Sequence, residues 1–389
     1  MRDFDLQKYL NNGIEKITAD IIRASAHNPR ETAFMAGFLR SCSKARRIRA
    51  SHESAGTHIP PFLIASITDR CNLHCEGCYA RANHICTDRQ DTCIPTACTH
   101  ESASNSDQTS TAVSDHTLSR NRWSEIFTEA ARLGISFILL AGGEPFLRPD
   151  ILESAAEHRQ IIFPVFTNGT LITDSSAVLF DKNRNLIPVL SIEGSRETTD
   201  QRRGSGTYDI LTAGMKILTS RKILFAASVT VTRDNMSEVF SDSFIDTLAN
   251  AGCKGVIYVE FVPVDSASIP LSPDDSDRET IMQRLDALRK ARRDMVFVAF
   301  PGDEKRSGGC LAAGRGFFHI NPRGGAEPCP FSPYSDSSLK AVSLLDALQS
   351  PLFTKLRASG ALENEHIGGC TLFEQEDMVN EMLEESDEQ

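Results

Sequence analysis

Seven short, nearly continuous apolar runs follow Pro60 and Pro61, and what lies between them constrains the fold more than any other feature. The runs are Phe62–Ser66, Ser136–Leu140, Ile161–Thr167, Leu186–Ile192, Leu224–Thr232, Gly255–Val262 and Met295–Phe300. Most are separated by stretches of helical character, such as WSEIFTEAARLG, TYDILTAGMKILTS and DRETIMQRLDALRKARR. Strands apolar throughout must be covered on both faces, and strands alternating with helices pair in parallel. The pattern predicts an α/β fold, and six or seven units suit a barrel or part-barrel better than a small doubly wound sheet. No fixed-period repeat is present.

The flanks differ. Residues 1–61 read as a helical segment, with Asn28 as a cap, Pro29 at the first helical position and Glu31 in the first turn. Within the core of 62–300, residues 86–120 hold only Ile94, Val113 and Leu118 as large aliphatics. Such a stretch buries no core and is expected to be a mobile insert between the first strand and its helix. Beyond 300 the units stop. In 301–389, GFFHINPRGGAEPC predicts a hairpin turning at Asn321–Gly325, followed by a helix or two and the acidic tail NEMLEESDEQ.

Lys+Arg 41 against Asp+Glu 52 leaves a net charge of −11, which argues against nucleic acid as a partner. Arg40, Lys44, Arg46, Arg47 and Arg49 lie at helical spacing and read as a solvated helix face. No run is long enough for a membrane span and the N-terminus has no apolar signal core, so a cytoplasmic protein is expected. There, eleven cysteines are not a disulfide framework.

Three of them cluster. ITDRCNLHCEGCYA spaces Cys71, Cys75 and Cys78 as C-x3-C-x2-C immediately after the first strand. In a parallel barrel the loops at the strands' C-terminal ends form the active face. Three thiolates on one loop can each bind one iron of a [4Fe–4S] cube, leaving the fourth iron open. Zinc is the alternative, but it closes a tetrahedron with four ligands, and His74 between two of the cysteines would strain it.

With this triplet, the sequence resembles the radical S-adenosylmethionine (SAM) superfamily over about residues 62–300. Further resemblance lies in Gly142-Gly143-Glu144-Pro145 on the second strand, in VFTNGTLI ending at Asn168, and in VLSIEGSRETTDQRRGSGTYD. The resemblance implies a partial (β/α)6 TIM-like barrel that binds SAM at the open iron. Electron transfer from a donor such as flavodoxin or ferredoxin would then give a 5′-deoxyadenosyl radical that takes hydrogen from a peptide or small-molecule substrate. It assigns Glu144, with Gly142 and Gly143, to the methionyl amino group, and makes Asn168, Ser191 and Arg203 further SAM contacts. Glu193 stands where relatives often carry Asp. Position 77 is Gly where the signature has an aromatic near the adenine; Tyr79 is the expected substitute. Alternation places Ser228, Thr230 and Thr232 on one face of the fifth strand. On the sixth it pairs Tyr258 with Glu260 as candidates for the lumen.

Near the C-terminus Cys310 and Cys329 bracket the hairpin, and Cys370 follows in HIGGCTLFEQ. The arrangement resembles the auxiliary-cluster extension called SPASM, or its shorter form, twitch, and implies a second [4Fe–4S] cluster. Candidate fourth ligands are Cys253, His366, Cys86, Cys93 and Cys98; an open iron is the alternative. Cys86, Cys93 and Cys98, with His84 and His100 nearby, otherwise read as accessible thiols on a lid or linker. An open auxiliary iron would suit a cyclase-like enzyme gripping a polar substrate. A non-catalytic iron–sulfur carrier is the rival from another class, but a carrier gains nothing from an exposed iron.

Overall fold

The computed structural model describes residues 4–26, 28–83, 116–263, 265–300, 307–363 and 370–387. Helices α1 (Leu6–Ala24) and α2 (Pro29–Ser54) open the chain. Asn28 caps α2 by accepting the Arg30 amide at 3.2 Å, with Pro29 in the first turn. Seven parallel strands follow in chain order: β1 (Phe62–Ser66), β2 (Phe137–Ala141), β3 (Phe163–Thr167), β4 (Leu186–Ser191), β5 (Ala226–Val231), β6 (Gly255–Glu260) and β7 (Val296–Phe300).

The intervening helices are α3 (Tyr79–Ala82), α4 (Arg120–Leu133), α5 (Pro149–Glu157), α6 (Asp174–Lys182), α7 (Arg196–Arg203), α8 (Thr207–Ser220), α9 (Met236–Val239), α10 (Asp242–Asn250) and α11 (Asp275–Ala291). Between sheet and helices Trp123 and Phe127 are fully buried, and the Phe127 ring meets Phe163 edge-on at 5.1 Å. Each such burial contributes about 1.5–3 kcal/mol.

The strand order is β7-β6-β5-β4-β3-β2-β1-β8-β9, a partial barrel of the expected kind. Its last two members form the hairpin foreseen near Asn321–Gly325: β8 (His319–Ile320) and β9 (Ala326–Glu327) run antiparallel. The Asn321 amide donates to the Gly325 carbonyl at 3.0 Å, and Gly324 takes φ +97° in the turn. The sequence did not foretell that β8 pairs in parallel with β1, Ile64 opposite His319. Two-residue strands carry no readable periodicity. The join is buried: the Ser66 hydroxyl lies 2.8 Å from His319 Nε2, and His319 Nδ1 lies 2.6 Å from Glu327.

One expectation on the basic stretch of α2 is corrected. Arg49 is not solvated but buried, its guanidinium donating to the Gly134 carbonyl and, at 2.7 Å, to Asn11 on α1. Burial lowers its pKa to about 10. The expected insert falls mostly within residues 84–115, outside the described residues, with Cys86, Cys93, Cys98, His84 and His100. At its end, Leu118 is buried and its amide donates to the Pro322 carbonyl at 2.8 Å. Among the described residues no helix is long and apolar enough to cross a membrane.

Candidate active site

The cysteine loop leaves β1 at the C-terminal end of the sheet and is held by backbone. Gly143 N–H donates to Thr68 at 2.9 Å and Glu144 N–H to Arg70 at 2.8 Å. A Cβ on Gly143 would stand 2.0 Å from the Arg70 carbonyl oxygen, and one on Gly142 2.5 Å from that of Thr68. The glycine pair therefore lets the end of β2 lie directly on the chain entering Cys71. On the other side Asn168 donates to Asn72 at 2.9 Å, Asn72 donates to Thr170 at 2.9 Å, and the Glu76 amide donates to the Arg202 carbonyl at 2.9 Å.

Two buried carboxylates organise the surroundings. Glu144 is fully buried and accepts from Thr167 Oγ1 at 2.8 Å, the Asn168 amide at 2.8 Å and the Phe146 amide at 3.0 Å. Burial pushes its pKa up to about 7 against the pull of those bonds. Glu193 is also fully buried. It accepts from Arg202 at 2.6 Å, from Arg203 Nε at 2.8 Å and Nη2, and from the Thr230 amide at 3.0 Å. Arg203, so held, brings Nη1 to 3.9 Å from Cys75 Sγ. Burial alone would lower the Arg203 pKa, but Glu193 and the thiols hold it above the ordinary value.

A cavity of about 240 Å³ opens at the barrel mouth beside these two carboxylates. It is bordered by Cys71, Cys75 and Cys78, by Gly142, Gly143 and Asn168, and by Ser191, Arg202, Arg203, Ser228 and Thr230. Tyr79 borders it too, its ring edge-on to Phe331 at 5.3 Å. At Gly77, which takes φ +63°, a Cβ would meet the Phe261 ring at 2.8 Å, so an aromatic from the end of β6 covers the place left bare in the cysteine loop.

The sixth strand is turned the other way from expectation. Tyr258 faces the helix layer, stacked on Phe240 at 4.1 Å with its hydroxyl donating to the Val239 carbonyl at 3.0 Å. It is not a luminal residue. Glu260 reaches the cavity edge, but its carboxylate accepts from Arg278 of α11 at 2.8 Å. The lumen receives Ile257 and Val259 instead. Polarity does not mark the luminal face here, because the cavity side of β6 is itself apolar. Arg202, Asn72 and Phe261 were missed because each acts through tertiary contact, without a local pattern to announce it.

Cys310, Cys329 and Cys370, spread over sixty positions, are all buried and come together. Burial, a hydrogen bond with Cys370 and the nearby Cys310 push the Cys329 pKa well up. Cys253 stands apart from them: it is fully buried at the opposite, N-terminal end of β6, its thiol donating to the Gly255 carbonyl at 3.1 Å. That removes it from the candidate fourth ligands; His366 lies outside the described residues.

The mouth triplet suits a cube. Burial raises the Cys71 pKa to about 11 and raises that of Cys75, while Arg203, with Nη1 3.9 Å from Cys75 Sγ, is placed to balance thiolate charge. His74 is exposed. Among the described residues no group of three or more His, Cys, Asp or Glu is arranged to hold a single metal ion. A cube asks for less convergence, since each thiolate takes a different iron.

Fold and site together define a partial parallel barrel with a three-cysteine loop at its mouth, beside a buried acid and a carboxylate-held arginine. The family model of the radical SAM superfamily matches residues 65–241 of this chain. The chain is 25% identical over 246 residues to Fe-coproporphyrin III synthase of Methanosarcina barkeri, covering 62% of this chain and 54% of that protein. To PqqA peptide cyclase of Methylorubrum extorquens it is 27% identical over 296 residues, 69% of this chain and 66% of that one. The chain thus spans between half and two thirds of the length of these relatives. In fold it is similar to SuiB of Streptococcus suis, with a TM-score of 0.61 at 16% identity over 81% of this chain and 72% of that one. SuiB bound to precursor peptide SuiA gives 0.59 at 17% identity, covering 84% and 76%.

Proposed function

We propose that this chain is an enzyme that uses SAM, bound at a [4Fe–4S] cluster on Cys71, Cys75 and Cys78, to modify a peptide. The observation carrying the reading is that three thiols, the glycine-lined end of β2 and Arg203 all border one cavity at the strands' C-terminal ends. Cluster and SAM, when bound, supply a 5′-deoxyadenosyl radical able to abstract hydrogen. The chain's own residues bind and orient. Ionised Glu144 receives the methionyl ammonium, Arg203 and Ser191 the carboxylate and ribose, and Asn168 holds the cysteine loop in place. Phe261 and Tyr79 flank the adenine. A peptide substrate is supported by the likeness to PqqA peptide cyclase and to peptide-bound SuiB.

Cys310, Cys329 and Cys370 carry a second [4Fe–4S] cluster, and a flavodoxin or ferredoxin supplies electrons in the cytoplasm, where thiols stay reduced. Anaerobically reconstituted protein should hold about eight irons, as two cubes require, and release 5′-deoxyadenosine from SAM under reduction. Changing Cys71, Cys75 and Cys78 to Ala should halve the iron and abolish release; continued cleavage would overturn the assignment. Cys329→Ala should remove the other half, and unchanged iron would dismiss the second cluster. Mass spectrometry of extract treated with active enzyme identifies the substrate, and a modified small molecule with no modified peptide would refute the peptide reading.

A further inference from the structure

Below the mouth the lumen is not filled. A second cavity, of about 350 Å³, lies between α1 and the N-terminal halves of the strands. That is more than twice the roughly 150 Å³ of an engineered apolar cavity that takes up benzene. Its walls are almost wholly apolar: α1 contributes Ile17 and Ile21, and the sheet contributes side chains such as Leu139, Pro164, Ile257 and Val298. All six are only partly buried although they face inward. Apolar surface left open in this way is the mark of an unfilled binding site. Ile64, Leu139, Ile257 and Phe300 border both this cavity and the one at the mouth, so the two share a wall.

One charge breaks the apolar lining. Lys254, immediately before β6 and partly exposed, is the only charged residue among the described ones that borders the cavity. Asp294 lies close enough to feel its charge, but that carboxylate already accepts from Nε and Nη2 of Arg292, each at 3.1 Å. We propose that the lower lumen binds an amphiphilic carboxylate, its hydrocarbon body between α1 and the strands and its head group at Lys254. The site is independent of the cluster and SAM, so its failure and the failure of the catalytic reading are separately visible.

The test is calorimetric titration of the anaerobically reconstituted full chain, without SAM, using dodecanoate, dodecanol and dodecyltrimethylammonium below their micellar range. Dodecanoate should bind at one site per chain and more tightly than the cationic analogue. Gly13 of α1 borders the cavity and has nothing within 4 Å of where a Cβ would stand, so Gly13→Phe fills the space. It should weaken dodecanoate at least about tenfold, with Ile17→Trp as the second filling variant. Lys254→Gln should weaken dodecanoate about three- to fivefold, the range of a part-exposed ion pair, and leave dodecanol unchanged. Absence of saturable binding, or unaltered binding in folded filling variants, overturns the site. Equal affinity for anionic and cationic probes, or no change in Lys254→Gln, overturns the head-group assignment.

Discussion

Replacing Glu193 by Gln removes a charge and almost no volume, which isolates the electrostatics of the arginine pair. The Glu193 side chain is 1% exposed, and its partners Arg202 and Arg203 are 18% and 11% exposed. One carboxylate therefore offsets two guanidinium groups that are largely out of water. Stripping the acid from a buried pair costs about 3–5 kcal/mol, because the partner charge stays behind unpaired. Residual hydration of Arg202 puts this case near the lower end, about 3 kcal/mol, or roughly two orders of magnitude in the folding constant. The chain's single tryptophan, Trp123, is fully buried in the barrel core and reports unfolding by fluorescence. Urea titration of cluster-free protein should show a lower midpoint with unchanged slope. Adding Arg203→Met should cost less than the sum of the single changes, since the two residues touch. A Glu193→Gln variant within about 0.5 kcal/mol of the parent, or strict additivity in the double variant, would refute the reasoning.

Two further outcomes are expected. Gly143→Ala must displace the Arg70 carbonyl, which lies 2.0 Å from the new Cβ, and with it the Cys71 amide at 3.0 Å. Reconstituted Gly143→Ala should lose about half its iron, while Trp123 fluorescence stays that of folded protein; a full iron complement would contradict the close-approach argument. The Glu144 pKa, raised to about 7 from 4.5 by burial, sets a pH dependence. Stability from this group is complete below its unfolded pKa and is lost as pH rises through 7, since only the ionised form suffers from burial. Affinity for SAM moves the opposite way: the ammonium is drawn by ionised Glu144, so binding should strengthen as pH climbs through about 7. Equilibrium dialysis should show that profile flattened in Glu144→Gln; an unaltered slope would assign it to another group.

The parallel sheet was legible because each strand of the core is a long enough apolar run between helices with clear periodicity. Ser119, for example, caps α4 by accepting the Arg122 amide at 3.2 Å just where the apolar spacing begins. The cysteine triplet could be read because its spacing lies on one loop. Orientation was another matter. Tyr258 was assigned to the lumen because it shares a face of β6 with the polar Glu260, yet the cavity side carries the apolar Ile257 and Val259, and only packing on Phe240 decides which side holds the ring. Arg49 went unrecognised as a buried residue for a similar reason: its partners, Asn11 and Gly134, are distant in sequence. Likewise, nothing near Gly77 announces that Phe261, far along the chain, covers it.

The parallel pairing of β1 with β8 makes the C-terminal part an edge guard for the barrel. A chain ended before β8 would present the backbone of β1 bare along Ile64 and Ala65, beside Ser66 stripped of its imidazole partner. Open edges recruit other chains, so such a truncation should clump whether or not either cysteine group is loaded. The barrel's solubility and the C-terminal thiols are thereby inherited together.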